Sequence, residues 1–351
     1  MSEAEILLRL RRIGWRGDAL PVGGRRVARV VAQHRAGYEL HDGVESFGAQ
    51  PAGQFLKRSL DPGERPAVGD FVEIEPGKPP HIVAVLPRRS VLSRAAAGER
   101  YARQLIAANI DYVLVLTGLD GDYNPARIER YLSLIEGSGA QPVVLLSKAD
   151  LHDDAAARVA ELRARLQPGT PVHALNSKDA VSVAQLAAYL QPGDSAVLVG
   201  SSGAGKSTLT NCLLGVDRMA TGAVRSRDSR GRHTTTHRAL LMLPSGGCLI
   251  DTPGMRELKL TGEENLDLFA DIDELAVACR FADCGHGSEP GCAVQTALDS
   301  GELSPERWRN YLKLRDEREE QAATLEAKLR RQRGARPAER PHAPRGSRER
   351  D

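Results

Sequence analysis

Aromatic residues make up only 4% of this 351-residue chain, and cysteine is scarcer still, with five. No segment approaches the roughly 18 to 20 consecutive apolar residues that span a bilayer, which excludes a helical membrane protein. The start, Met1-Ser2-Glu3-Ala4-Glu5, is acidic before it is apolar, unlike a secretory signal. The cysteines do not look like a disulfide framework. Their number is odd, and three of them, Cys279, Cys284 and Cys292, gather around His286. That pattern points to a metal in a reducing compartment, so a cytoplasmic location is expected. Hydrophobic residues at 41% and charged residues at 27% allow a packed core and exclude wholesale disorder. The length suggests two or three domains.

Net charge is also nearly absent, at +2. The small total conceals a strong asymmetry: residues 1–103 carry +5, the tail 330–351 carries +5, and the middle carries −8. Two basic ends around an acidic middle imply that the ends meet any polyanion.

Residues 25–86 are rich in Val and Gly, with short alternating runs such as Val27–Val31 and Phe71–Ile74. Turn signals at Asp42-Gly43, Asp61-Pro62-Gly63 and Glu75-Pro76-Gly77 separate them, predicting a small β-barrel. An Arg-rich stretch over 87–104 reads as a linker. From 110 onward, apolar runs alternate with helical stretches: Asp111–Thr117, Val143–Ser147, Val172–Leu175, Ala196–Gly200, Ala239–Leu243 and Cys248–Asp251. Continuous apolar strands separated by helices predict an α/β domain with a mainly parallel sheet. Residues 304–330 read as a charged helix, and the Arg/Pro/Gly tail from Gly334 as disordered.

Gly200-Ser201-Ser202-Gly203-Ala204-Gly205-Lys206-Ser207 matches GxxxxGK[ST] at every fixed position, after an apolar run and before the helix-forming stretch Thr208–Leu214. Glycines let backbone N–H groups turn inward around phosphates, and the helix N-terminus adds a favourable dipole. Lys206 would neutralise β- and γ-phosphate charge, and Ser207 would ligate Mg²⁺. Fifty residues on, Asp251-Thr252-Pro253-Gly254 ends a strand, where Asp251 would support the Mg²⁺ shell and the Gly254 N–H would meet a γ-phosphate. Between them, Arg232-His233-Thr234-Thr235-Thr236-His237 offers a Thr hydroxyl, assigned to Thr235, to complete the Mg²⁺ coordination.

Ser147-Lys148-Ala149-Asp150 ends another apolar strand and is similar to the guanine-reading [NT]KxD motif. Asp150 would accept two hydrogen bonds that adenine cannot offer. Ala174–Lys178, with Asn176 and Ser177, sits where a backbone contact to the guanine O6 is expected. Here the base-reading segments precede the phosphate loop, whereas ordinary small GTPases place them after it. This is a circular permutation, which moves the chain ends but leaves the site unchanged. Cys279-x4-Cys284-x-His286-x5-Cys292 completes the inventory: a closed Cys₃His set that suits one structural Zn²⁺. Cys212 and Cys248 read as core residues.

Taken together, a β-barrel, permuted GTPase motifs, RHTTTH, DTPG and the Cys/His spacing resemble the bacterial small ribosomal subunit biogenesis GTPase A family, over roughly residues 25–315. The resemblance implies an OB-fold over 25–90 that binds RNA, a circularly permuted P-loop GTPase domain over 91–262 and a helical zinc-binding domain over 263–330. Residues 1–24 would be an extension and 331–351 a basic disordered tail. It implies GTP hydrolysis stimulated by the small (30S) ribosomal subunit, contact with 16S rRNA in the GTP state, release after hydrolysis, and a monomer. Met255 stands where many GTPases place a water-orienting Gln, so His233 is the expected substitute, with His237 its competitor. Ser147 departs from the usual Asn, and weaker nucleotide binding is expected. Tyr38, Phe47 and Phe55 are candidates for stacking on unpaired bases, or else for barrel core. Two other readings stay open at this point. Lack of guanine preference would indicate a P-loop ATPase or kinase, and lack of turnover an RNA-binding assembly protein with a vestigial site.

Overall fold

The computed structural model describes residues 2–21, 23–34, 36–57, 60–95, 103–215, 238–252 and 266–334. His233, Thr235, His237, Gly254 and Met255 lie outside the described residues, as does the tail beyond Gly334.

After a helix α1 (Glu3–Arg12), the strands β1 (Arg26–His34), β2 (Gly37–His41), β3 (Ser46–Pro51), β4 (Phe71–Glu75) and β5 (His81–Val85) run in the order β1-β2-β3-β5-β4. β4 returns to β1, from Arg26 opposite Ile74 to Arg29 opposite Phe71, and closes the barrel. Alternation puts Ala28, Val30, Leu40, Val72, Ile74 and Ile82 inside. Tyr38 is buried in the same cluster, and Phe47 and Phe55 pack partly against it, which gives these aromatics a core role.

The stretch read as a linker is structured. Its strands β6 (Val91–Ala95) and β7 (Arg103–Ala108) form an antiparallel hairpin. Leu92, Leu105 and Ile106 are buried, while of the arginines that suggested a linker Arg94 and Arg103 stand in the ladder, opposite Gln104 and Ala95, and Arg88 and Arg89 precede it.

The α/β part follows as β8 (Tyr112–Gly118), α2 (Pro125–Ile135), β9 (Gln141–Ser147), α3 (Ala155–Arg165), β10 (Val172–Leu175), α4 (Ala180–Val183), β11 (Ser195–Gly200), α5 (Lys206–Leu214), β12 (Ala239–Met242) and β13 (Cys248–Asp251). The order across the sheet is β10-β9-β8-β11-β13-β12, parallel except for β12. Every central strand is apolar on both faces. Val113, Val115, Val144, Val197 and Val199 belong to one core, and Leu114, Leu116, Val143, Leu145 and Leu198 to the other. Each such side chain is worth about 1.5–3 kcal/mol of burial. β12 also pairs with β1, Ala32 opposite Ala239, so barrel and α/β sheet form one continuous hydrogen-bonded sheet.

The C-terminal part contains α6 (Ala270–Val277), α7 (Ala293–Ser300) and α8 (Pro305–Gly334). Phe269, Ile272, Val294 and Leu314 join the same core as Val113 and Ile128. Ser304 caps α8 by accepting from the Arg307 N–H at 3.1 Å, and Pro305 fits the first turn. The helix runs through Gly334, into the stretch assigned to the tail. Arg330 pairs with Glu326 one turn back.

Candidate nucleotide site and metal centre

All the sequence-predicted nucleotide residues that are described lie at the carboxyl ends of the parallel strands, where open α/β sheets hold ligands. The phosphate loop leaves β11 and turns into α5. Gly200 has φ 145°, and a Cβ there would stand 2.1 Å from the Leu116 carbonyl oxygen, so only glycine fits beside β8. Ser202 and Gly203 are exposed, and Gly205, Lys206, Ser207 and Thr208 are half-buried and open to a ligand. Ala204 is buried and anchors the loop in the core.

Lys206 donates to the Gly200 and Ser201 carbonyls, at 2.7 and 2.6 Å, which preorients the ammonium inside the loop. Burial pushes its pKa down, and the carboxylates of Asp251 and Asp122 partly offset this. Burial raises the pKa of Asp251, which the Lys206 ammonium and the Thr252 N–H oppose. Asp251 ends β13 beside Leu198 of β11, and the buried Thr252 pins the strand end by donating to the Leu198 carbonyl at 2.6 Å. The Lys206 ammonium and the Asp251 carboxylate thus lie close enough for each charge to act on the other, and Ser207 follows Lys206 at the start of α5. This donor set fits a phosphate-bound Mg²⁺.

The guanine-type motif ends β9. Lys148 is left-handed, with φ 61°, and forms an ion pair with Asp120. Asp150 is exposed. Ser147 is buried and donates to the Ala204 carbonyl at 2.6 Å. The departure from Asn therefore keeps a direct link between the base-reading strand and the phosphate loop. A Cβ on Gly205 would lie 3.7 Å from the Ser177 hydroxyl and 3.9 Å from that of Ser147, which brings the second base segment to the same loop. Asn176 is held in its turn by the Ser182 hydroxyl, which accepts from its N–H at 2.9 Å.

Sequence reasoning missed the loop between β8 and α2. Asp120 grips Lys148, and Asp122 accepts a hydrogen bond from the Ser201 hydroxyl of the phosphate loop. The signal was present: acidic residues directly after an apolar strand, as at Asp150 and Asp251.

The Cys/His segment forms a separate cluster between α6 and α7. The ligand atoms of Cys279, Cys284, His286 and Cys292 all lie within 4.8 Å of one another. Cys279 and Cys292 sulfurs are 3.9 Å apart, and His286 Nδ1 is 3.5 and 3.7 Å from them. Tetrahedral bonds of about 2.3 Å to sulfur and 2.0–2.1 Å to nitrogen require edges of about 3.5–3.8 Å. Cys279, His286 and Cys292 thus stand close to the spacing a zinc ion demands, with Cys284 within 4.8 Å of them. His286 sits at φ 57°, its Nδ1 faces the Cys279 and Cys292 sulfurs, and the Gln295 side chain donates to its carbonyl at 2.6 Å. Cys292 also caps α7, accepting from the Gln295 N–H. A closed set of four leaves no open position for catalysis.

Comparison with known proteins agrees with this arrangement. The RsgA GTPase family model matches residues 85–261. A relative from Xanthomonas axonopodis pv. citri (strain 306), the small ribosomal subunit biogenesis GTPase RsgA, is 57% identical over 83% of this chain and 80% of its own. Its counterpart of the same name from Xylella fastidiosa (strain M23) is 56% identical, over 83% of this chain and 88% of its own. Among solved structures, YjeQ from Thermotoga maritima aligns with a TM-score of 0.57 at 28% identity, over 83% of this chain and 97% of that one. The circularly permuted GTPase YloQ aligns at 0.56 and 25% identity, over 86% and 98%. A matched model over half the chain, a permuted sheet with the phosphate loop at its centre, and relatives more than half identical over most of its length make this chain a GTPase of the RsgA family.

Proposed function

We propose that this GTPase acts as a late assembly factor of the small (30S) ribosomal subunit, binding it with GTP and leaving after hydrolysis. The observation that carries the reading is the meeting of three strand ends, β9, β11 and β13, around one phosphate loop, on a sheet continuous with the barrel. In this reading, residues 25–90 hold 16S rRNA, 91–262 bind and hydrolyse GTP, and 263–330 form a zinc-bearing unit, with 1–24 and 331–351 as flanking segments. The protein works as a monomer in the cytoplasm; among the described residues, no helix is long and apolar enough to cross a membrane.

Lys206 and the N–H groups of Gly203 to Thr208 bind phosphate oxygens. Ser207 and Thr235 would hold Mg²⁺, with Asp251 supporting its waters; when bound, the ion neutralises charge on the transferred phosphoryl. Asp150 reads guanine between Lys148 and the Asn176–Ser177 segment. His233 orients the attacking water, a role that Met255 lacks the polar atoms to fill. The basic N-terminal part and the tail meet rRNA phosphates, so binding weakens steeply with salt. Sedimentation with purified small subunits in a salt series tests the reading. Co-pelleting with a non-hydrolysable GTP analogue but not with GDP is expected, together with faster GTP turnover when subunits are added. Equal pelleting in both nucleotide states would refute it.

Two further results are expected. Asp150→Asn should lose GTP affinity and gain affinity for xanthosine triphosphate, because an amide donates to the 2-oxo group where a carboxylate is repelled. Titration of both nucleotides into parent and variant checks this, and an unchanged GTP preference removes Asp150 from the base site. Metal analysis after chelator-free purification should find about one zinc per chain. Cys284→Ala should release it and unfold the C-terminal segment while leaving nucleotide binding in place, since structural zinc contributes on the order of 10 kcal/mol to such units.

A further inference from the structure

The loop 119–124 connects two machines that the sequence keeps apart. At one end, the Leu119 N–H donates to the Ser147 carbonyl at 3.0 Å, and the Leu119 carbonyl accepts from Arg158 at 2.8 Å. In its middle, Asp120 takes Lys148 of the base-reading motif and accepts from the Asp122 N–H at 3.2 Å. At the other end, Asn124 caps α2, and Arg127 in the first turn of α2 forms an ion pair with Asp122. The free oxygen of Asp122 accepts from the Ser201 hydroxyl, the second residue of the phosphate loop.

Ser201 is therefore gripped twice. Its carbonyl accepts from Lys206, and its hydroxyl is committed to Asp122. Ser201 itself is buried, and Asp122 and Lys206 are half-buried around it. Asp122 also lies close enough to Lys206 for its charge to act on that ammonium. A carboxylate so near a phosphate site would repel the ligand unless its charge were absorbed elsewhere. Arg127 and the Ser201 hydroxyl do that.

We propose that Asp122, clamped by Arg127, is a positioning residue that holds the start of the phosphate loop, through Ser201, in the shape that receives nucleotide. It does not touch the nucleotide in this role. It fixes the backbone on which the Gly200 and Ser201 carbonyls hold Lys206. This rests on the GTPase reading of the site and adds to it a residue outside all the recognised motifs.

The test is a double-mutant cycle on the full chain, read as the dissociation constants of fluorescent GDP and GTP analogues. Asp122→Ala should weaken both by about tenfold, the weight of one hydrogen bond to a charged group. Ser201→Ala should do the same, and the double variant should be no worse than either single one, because both remove one interaction. Asp122→Asn, which keeps an acceptor for Ser201, should return to within about threefold of the parent. Zinc content and far-UV circular dichroism check that each variant is folded, and a misfolded Asp122→Ala leaves the Asp122→Asn and Ser201→Ala results to decide. Losses that add in the double variant, or parent-like binding by Asp122→Ala or Ser201→Ala, would overturn the proposal. Failure of the parent itself to bind guanine nucleotide would instead sink the reading of the site.

Discussion

Glu129→Ala is expected to destabilise the protein by about 3–5 kcal/mol and to loosen the C-terminal helices from the GTPase core. Glu129, on α2, is fully buried. One carboxylate oxygen accepts from Arg165 at 2.6 Å and from Arg307 at 2.8 Å, and the other accepts from Asn310. Arg165 belongs to α3, whereas Arg307 and Asn310 belong to α8, so one carboxylate joins three helices. Arg307 is further tied to Asp271 at 2.8 Å and to the Leu268 carbonyl at 3.1 Å. Burial alone would push the Arg307 pKa down, but Asp271 and Glu129 outweigh it and raise it. Removing Glu129 leaves two guanidinium groups facing each other in a site with little water. Half-exposed Asp271 compensates only one of them.

The comparison that isolates this effect is Glu317→Ala. Glu317 pairs with Arg130 across the same two helices, but both side chains are partly exposed. Such a pair is worth about 0–1 kcal/mol. Urea denaturation of the two variants should therefore differ by at least about 2 kcal/mol, with Glu129→Ala also exposing α8 to protease. A Glu129→Ala loss no larger than that of Glu317→Ala would show that the buried network does not dock the C-terminal unit.

The local features of the chain were legible in its sequence. β10 and β13 coincide with their apolar runs, and the other α/β strands agree to within two residues, because strands buried on both faces leave little ambiguity. The phosphate loop and the Cys/His set were also readable, since their ligands lie a few residues apart. The hairpin of β6 and β7 was hidden by its composition, in which the polar pairs Ser93-Arg94 and Arg103-Gln104 break the apolar runs, with Arg94 opposite Gln104.

What the sequence could not display is pairing over distance. Glu129 stands in Arg127-Ile128-Glu129-Arg130, which reads as a solvated helix face, and its partner Arg307 is 178 residues away. The Asp122–Ser201 contact spans 79 residues. The α1 segment looked like an uninformative extension, yet Leu10 and Ile13 are fully buried against Val27 and Phe71. Charge in a periodic pattern reports which way a side chain points, but not what lies there.

Arg29 makes the same point with a second large consequence: Arg29→Met is expected to cost about 2–4 kcal/mol and to weaken the joint between barrel and GTPase. Alternation along β1 sends Ala28 and Val30 into the barrel and Arg29 out of it. Outside the barrel, at this position, is the GTPase sheet, so Arg29 is fully buried. Its guanidinium donates to the Gly69 carbonyl at 3.1 Å, the Asn109 carbonyl at 2.9 Å, the Ser195 hydroxyl at 2.7 Å and the Ile13 carbonyl, and it lies over the Phe71 ring. Those partners come from the barrel, the residue after β7, the start of β11 and the N-terminal segment. Burial pulls its pKa down, with Cys248 and Asp111 offsetting part of that, and among the described residues no carboxylate forms an ion pair with it. Two effects oppose each other in the variant. Methionine relieves a desolvated cation, a gain of several kcal/mol. It also takes a donor from three buried carbonyls and a hydroxyl; the Ile13 and Asn109 carbonyls lose their guanidinium partner outright, at about 1–3 kcal/mol each, the Gly69 carbonyl keeps only the Asn109 side chain, and together these losses outweigh the gain. Arg29→Lys keeps the charge but concentrates its donors on one atom, which cannot span the four acceptors, so it too should lose stability. Urea midpoints of both variants are the measurement, and because Arg29 and Glu129 share no partner, the double variant Arg29→Met/Glu129→Ala should equal the sum of the singles to within about 0.5 kcal/mol. A methionine variant as stable as the parent would mean that the desolvation of the cation already cancels its hydrogen bonds, and that the joint is held by the β1–β12 pairing and apolar contact alone.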